Sequence, residues 1–381
     1  MDVQAIAQRV KTVVTSAVDP HAARNDKEAR FPAEGVKALG EAGLLGLLLP
    51  TTVGGLGGGP RAFTEVVAAL AESDPSLAMV YVMHVSGTAC IAGAPKTELT
   101  TKALVDIAAG KHLTTLAFSE KGSRSHFWAP VSQATKDGTG VKLTAQKSWV
   151  TSAGHADSYV ISTKSTAAKG PTDTTLYLVA KDAPGFKVSA PWDGLGLRGN
   201  ASAPMTLEGT KVGDDARLTD EGAGFKAKLE VVLPLFNIGQ AAMSLGICRA
   251  VTAATVTHLK TAQFEHLGAS LGEALPTLRA KLADLQVATD RLAAFLSDVV
   301  SHLETPGPLT VLRVLESKLA AGDAAIAVTS GAMAMCGGAA FSRHTAIERF
   351  FRDAHASAVM VPTSDVLREF IGKALLGLPL F

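Results

Sequence analysis

The chain has 381 residues with 36 Lys+Arg against 35 Asp+Glu, a formal charge of +1, which argues against a nucleic-acid binder with its one-sided basic excess. Hydrophobic residues at 47% and charged residues at 19% are too apolar for disorder and supply a large core, enough for two or three domains or layers. Three cysteines, Cys90, Cys248 and Cys336, are widely separated and odd in number, so neither a disulfide framework nor a metal site is expected and a reduced, cytoplasmic setting is.

Residues 1–112 read as an N-terminal helical domain. Val3, Ile6, Val10, Val13 and Val14 recur at steps of three and four, which lays one apolar stripe on a helix. Pro32 opens a second helix over 33–42, with Gly43 at its C-terminal cap, and a further helix runs from Pro60 to about Glu72. The glycine-rich run 53–60 is expected to be a turn, because no strand precedes it and no Lys-Ser/Thr pair follows. The longest apolar stretch, residues 44–50, is far short of the ~18–20 residues that span a bilayer, so no membrane association is expected. The Met1-Asp2-Val3 start lacks the pattern of a signal peptide.

Residues 113–215 read as a middle β-domain. Strands are expected over 113–118, 141–151, 159–163 and 175–179, with turn chemistry at 136–140 and 183–185, as an antiparallel barrel or sandwich. No βαβ alternation is visible, which leaves a dinucleotide-binding Rossmann unit unsupported. Residues 216–381 return to the helical period. Leu278, Leu282, Leu285, Leu292, Phe295, Leu296 and Val299 mark one face of a long helix, residues 312–334 supply another, and a break at 304–308 suggests an antiparallel bundle. The apolar faces exceed what one bundle core needs, which points to oligomerisation.

Three segments carry candidate chemistry. Residues 116–125 run from a strand into a loop whose hydroxyls, Ser119, Ser123 and Ser125, could hold a polar ligand or belong to an ordinary loop. Trp149 and Thr151 stand two apart, which on a strand gives them one face, fit either for a planar ring or for the core. Gly337-Gly338 closes a helix and permits close approach of a diphosphate or a neighbouring chain, or simply ends the helix.

Taken in order, these segments resemble the acyl-CoA dehydrogenase superfamily of flavoproteins over nearly the whole chain. The matching stretches are 40–47, Pro50, 54–57 and 70–76; the loop ending at Ser125, 146–151 and 196–202; and 222–225, Gly337-Gly338 and Arg352-Asp353-Ala354. The resemblance implies a mainly α fold with a β-domain, ending in a four-helix bundle. It also implies FAD held between the β-domain and the bundle, in a homotetramer or homodimer. It assigns Leu116, Phe118 and Ser119 to the isoalloxazine, Ser125 to the pyrophosphate or thioester, and Trp149 and Thr151 to the other side of the flavin. Gly337 and Gly338 would meet the adenosine diphosphate of a neighbouring subunit's FAD, and Thr363 the cofactor again.

The sequence departs from the family pattern at the base. Counting from Arg352-Asp353-Ala354, the usual catalytic glutamate falls on Val361, followed by Pro362 and Thr363; the alternative position, on the first bundle helix, falls on Phe236, with Asn237 where an arginine often stands. Glu230 is the nearest acid there. Asp365 and His84 are the remaining weak candidates, while Glu120 reads as structural. Glu265 replaces the arginine of a pyrophosphate-binding motif, which puts FAD retention in question. Three functions stay open: oxidation of an acyl-CoA or other acyl thioester by α,β-desaturation; a monooxygenase-type or other non-desaturating flavin reaction; and a non-catalytic subunit in a heteromer with a homologue. The acyl chain, its carrier and the electron acceptor are unknown at this stage.

Overall fold

The protein is described by a computed structural model covering residues 3–124, 126–342 and 344–381. Ser125, one of the candidate cofactor residues, lies outside the described residues.

The N-terminal helices follow their local signals. Asp74 caps the helix Pro75–Ala92 by accepting hydrogen bonds from the Ser76 and Leu77 amides, with Pro75 at the first helical position. The helices Ala33–Glu41 and Pro60–Ser73 fall where expected, and Gly43 adopts φ +72° just beyond the first of them. The run after Val53 is a turn: a side chain at Gly55 would meet the Leu49 carbonyl oxygen at 2.2 Å, so only glycine lets the chain fold back there.

The β-domain departs from the expected antiparallel barrel or sandwich in two respects, a parallel strand pair and, among the described residues, the lack of barrel closure. Its strands are β1 (Thr114–Ala117), β2 (Thr135–Asp137), β3 (Gly140–Val150), β4 (Ser158–Lys164), β5 (Thr174–Ala180), β6 (Phe186–Val188) and β7 (Ala203–Val212). They form two sheets, β1-β4-β5 and β2-β3-β7-β6, and β1 runs parallel to β4; no closed barrel forms among the described residues. The parallel pair is a covered one: β1 is buried along its whole length, lying against the helix Pro75–Ala92 close enough that a side chain at Gly87 would meet Thr114 at 3.1 Å. Strand β7 escapes sequence reading because Gly209, at φ +64°, interrupts it. That residue sits at a register shift between Leu143 and Ala145, where its amide donates to Thr144 Oγ1 at 3.1 Å.

Three long helices, Leu233–Thr261, Pro276–Glu304 and Thr310–Phe341, build the C-terminal bundle, and Ile347–Ala354 and Ser364–Leu375 pack on it. Leu285, Leu292, Leu296 and Val299 are buried as one stripe against Val314, Ala321, Ala325 and Val328. One expectation needs correcting: residues 44–50 are not the longest apolar element. Pro75–Ala92, Gly224–Thr261 and Thr310–Phe341 each have the length and composition of a membrane span, because scattered polar residues break the run without lowering its average. The first two are 83% buried inside the chain, whereas the third is 39% buried. Its outer face carries mostly small or apolar residues, Ala320, Ala327, Ser330, Ala334, Gly337, Gly338 and Phe341, the last 83% exposed, together with Asp323, which pairs with Arg368.

Candidate active site

A cavity of about 950 Å³ opens where the β-domain meets the C-terminal helices. One side is formed by Leu116, Phe118 and Ser119 at the end of β1, by Ser148, Trp149 and Thr151 at the end of β3, and by Trp192. Phe236 from the first bundle helix and residues 359–362 also contribute to its wall.

Trp149 and Thr151 reach the wall by a different route from strand alternation. The β3–β7 register shifts between Lys147 and Val150, and Trp149 takes φ +58°, a left-handed conformation rare for a bulky side chain. The bulge turns the indole outward: Trp149 is 66% exposed and meets Trp192 edge-on, with ring centroids 5.9 Å apart at 81°. Thr151 is buried, and its hydroxyl lies 3.1 Å from Ser202 Oγ. A strained backbone presenting a bare aromatic beside a buried hydroxyl is the arrangement a planar, polar-edged ring requires.

Beneath this ledge lies a closed ion pair. Lys147 Nζ donates to Glu120 Oε1 at 2.5 Å, and Glu120 also accepts from the Val131 and Ser132 amides, each at 2.7 Å, and from the Ser132 hydroxyl. Burial alone would lift the Glu120 carboxyl; the Lys147 charge, with hydrogen bonds from Lys147 and Ser132, outweighs it and holds the group below the usual carboxylate range. Ser123 is occupied locally, donating to the Glu120 carbonyl at 3.0 Å.

The segment carrying Val361 is held from behind. Lys318, 1% exposed, donates to the carbonyls of Ser357 and Met360 at 2.9 Å and of Pro362 at 2.7 Å. Burial pulls its ammonium down to about 7. Gln240 Nε2 lies 3.1 Å from Met360 Sδ, and its Oε1 has no partner. Asn237 is buried, donates to the Val314 carbonyl at 3.3 Å and leaves Oδ1 unpaired.

The weak proton-acceptor candidates lie off the wall. His84 is fully buried, with Nδ1 accepting from the Thr114 amide at 3.1 Å and Nε2 donating to the Leu45 carbonyl at 3.0 Å; burial lowers it to about 4. Both nitrogens are committed, so it is a structural histidine. The Asp365 side chain is 98% exposed, facing Arg368 at 3.7 Å, and Glu230 is an exposed acid 3.9 Å from Lys226. Gly337, Gly338 and Thr363 are also absent from the wall. The glycines lie at the exposed end of Thr310–Phe341, where Gly337 breaks the helix at φ +53°, and Thr363 is the N-cap of Ser364–Leu375. Glu265 is exposed in the turn between the two-residue strands Gln263–Phe264 and Ala269–Ser270.

Sequence reasoning passed over Trp192 and His355. Both line the cavity, and His355 follows directly on the Arg352-Asp353-Ala354 motif, the one signal that could have singled it out.

A helical domain, a β-domain and a helical bundle in that order, with an interdomain cavity, make the fold of the acyl-CoA dehydrogenases. The chain matches the acyl-CoA dehydrogenase N-terminal domain over residues 2–111, the middle domain over 115–210 and the C-terminal domain over 222–376. It belongs to the acyl-CoA dehydrogenase family. It is 28% identical to the mitochondrial short-chain specific acyl-CoA dehydrogenase of Bos taurus, covering 98% of this chain and 90% of that one. It is 26% identical to the probable acyl-CoA dehydrogenase FadE25 of Mycobacterium tuberculosis, covering 96% and 93%. Butyryl-CoA dehydrogenase from Megasphaera elsdenii has the same fold, with a TM-score of 0.92 at 23% identity over 99% of this chain and 98% of that one.

The family cofactor is FAD, and the wall fits it. Leu116, Phe118 and Trp149 supply apolar surface for the ring system, and Ser119 and Thr151 supply hydroxyls for its polar edge. The volume is at the upper end of small-molecule sites, about 300–1,000 Å³.

Proposed function

We propose that the protein is an FAD-dependent oxidoreductase that desaturates an acyl thioester, acyl-CoA or carrier-bound, between its α and β carbons. The observation that carries this reading is the ledge of Trp149 and Thr151 sharing one predominantly apolar cavity with Phe236, Met360 and Val361. When bound, the flavin supplies the two-electron acceptor. The chain's own residues do the rest: Trp149 and Thr151 orient the ring, the apolar side chains exclude water from the acyl chain, and Lys318 fixes the loop that closes the wall.

A non-desaturating flavin reaction is the second reading. It is favoured by the one carboxylate on the wall among the described residues, Glu120, being committed to Lys147 and Ser132, with valine at 361. A third, a non-catalytic subunit paired with a homologue, is disfavoured by the retained ledge. The small-residue face of Thr310–Phe341 supports assembly of several copies, with Gly337 and Gly338 of one copy meeting the cofactor of the next. An electron-transferring flavoprotein is the acceptor class suited to this scaffold, and a reduced, cytoplasmic setting suits its three free thiols.

Anaerobic addition of an acyl-CoA panel to the purified protein tests the reading. Loss of flavin absorbance near ~450 nm supports desaturation. Oxygen uptake only with externally supplied reduced flavin supports the second reading, and colourless protein that is soluble only with a co-expressed homologue supports the third.

A further inference from the structure

Removing an α-proton from a thioester needs a proton acceptor on the cavity wall. The ionisable side chains on that wall, among the described residues, are Glu120, Lys121, Arg124, Arg352 and His355. Lys121, Arg124 and Arg352 are cations, and Arg352 is further committed to Asp26 at 2.6 Å and to Glu348 at 2.8 Å. Glu120 takes its four hydrogen bonds from Lys147, Val131 and Ser132 and is held in its ionised, satisfied state.

His355 differs. Its Nδ1 lies 2.7 Å from the carbonyl oxygen of Phe351, and a carbonyl can only accept, so Nδ1 carries the hydrogen. In the neutral ring that assignment leaves Nε2 with an unshared pair. The same carbonyl continues to receive the Nδ1 hydrogen after Nε2 is protonated, so the contact that fixes the tautomer is kept through the transfer. The ring is half-buried, packed on Phe351 with centroids 4.8 Å apart. The helical turn Ala356–Val359 separates it from Met360 and Val361, and Ala356 and Val359 line the same wall.

We propose that His355 is the catalytic proton acceptor of this site, taking an α-hydrogen of an acyl thioester through Nε2. This deepens the desaturation reading and rests on it. In the step, the α C–H bond breaks, its proton bonds to Nε2, and its electron pair delocalises into the thioester carbonyl as an enolate. Return of the proton restores the thioester, so no oxidant is consumed.

The reversibility of the step supplies a test that does not require the cofactor to turn over. Butyryl-, octanoyl- and palmitoyl-CoA are incubated in heavy water with flavin-loaded and flavin-free protein, and deuterium at the α-carbon is followed by mass spectrometry. Wild-type protein should catalyse incorporation with at least one of them. His355→Gln should lower the rate about 100-fold while thioester binding, measured by titration, is unchanged. Added imidazole should restore exchange to His355→Ala, a rescue that a helix-ending role would not produce. Exchange that is unaltered in His355→Gln overturns the proposal, as does a wild-type protein that binds the thioester without exchanging it. Flavin bleaching by a thioester with unaltered exchange in the variant would sink this assignment alone. Failure to bind any thioester would sink the functional reading, and this assignment with it.

Discussion

Lys318 Nζ lies 2.7 Å from the carbonyl oxygen of Pro362, reaching from the bundle helix Thr310–Phe341 to the loop that lines the cavity. With the Ser357 and Met360 carbonyls, the ammonium spends all three of its hydrogens on backbone acceptors and has no carboxylate partner among the described residues. Lys318→Met takes the donor from three carbonyls, those of Ser357 and Pro362 buried and that of Met360 part-buried, while relieving the burial of a charge, for a net loss of about 2 kcal/mol in urea unfolding. The pH dependence has a definite sign. The folded lysine titrates near 7 against 10.5 for the free group, so between those values the folded chain binds fewer protons than the unfolded one. Stability attributable to this group therefore rises with pH across that window and is lost as pH falls through it. Lys318→Met should flatten that slope, and a slope unaffected by the substitution would contradict the assignment.

Trp149 and Thr151 should separate cofactor binding from folding. Trp149 is 66% exposed, so Trp149→Ala should barely move the melting temperature of flavin-free protein, yet it removes the stacking surface and should weaken flavin binding by about 1–2 kcal/mol. Thr151→Val keeps the shape but loses the hydroxyl beside Ser202, and should weaken flavin binding about tenfold. Flavin fluorescence titration of both variants measures this directly. If neither changes cofactor content, the ledge is not the flavin site.

Much of this molecule was legible because local chemistry and tertiary position agree. Helix Pro60–Ser73 begins at a proline, helix Ala33–Glu41 follows one directly, and the stripe from Leu285 to Val299 is one face of one helix. The ledge was legible as a pair of residues but not as a geometry, since period-two reasoning assumes an unbroken pleat and the bulge beyond Lys147 reorients Trp149. The parallel pairing of β1 with β4 depends on where a distant strand returns, and no local signal records that. His355 was invisible for a related reason. A histidine beside a family motif gives no sign of its tautomer, which is set by a carbonyl four residues earlier.

The Glu120–Lys147 pair supports the ledge from below, and cutting it on one side should be expensive. Lys147→Met strands a carboxylate that is buried among amides and should cost about 3–5 kcal/mol, whereas Glu120→Gln with Lys147→Met should cost less than the lysine change alone. Because the folded Glu120 carboxyl is held below its free value of 4.5, its contribution is present above that value and lost as pH falls through the folded one. Urea unfolding of the two variants over an acidic pH series checks both statements.

Val361 offers the complementary gain. It is half-buried on the cavity wall beside Met360 and Pro362, on the loop that Lys318 clamps, so a side chain placed there is held by a fixed backbone. Val361→Glu puts a carboxylate among largely apolar neighbours, where burial raises its pKa towards the range useful for a general base. The same desolvation should lower stability by about 1–3 kcal/mol. Anaerobic flavin reduction by acyl-CoA should speed up by about 10–100-fold if proton removal limits the wild-type rate. The decisive comparison is with His355→Gln: a carboxylate at 361 should restore α-exchange to that variant, because the second acceptor no longer needs the imidazole. Stopped-flow absorbance for the reduction and isotope incorporation for the exchange measure the two steps separately. A Val361→Glu protein that binds flavin and thioester normally, yet gains neither, would mean that the loop does not bring position 361 to the reacting carbon.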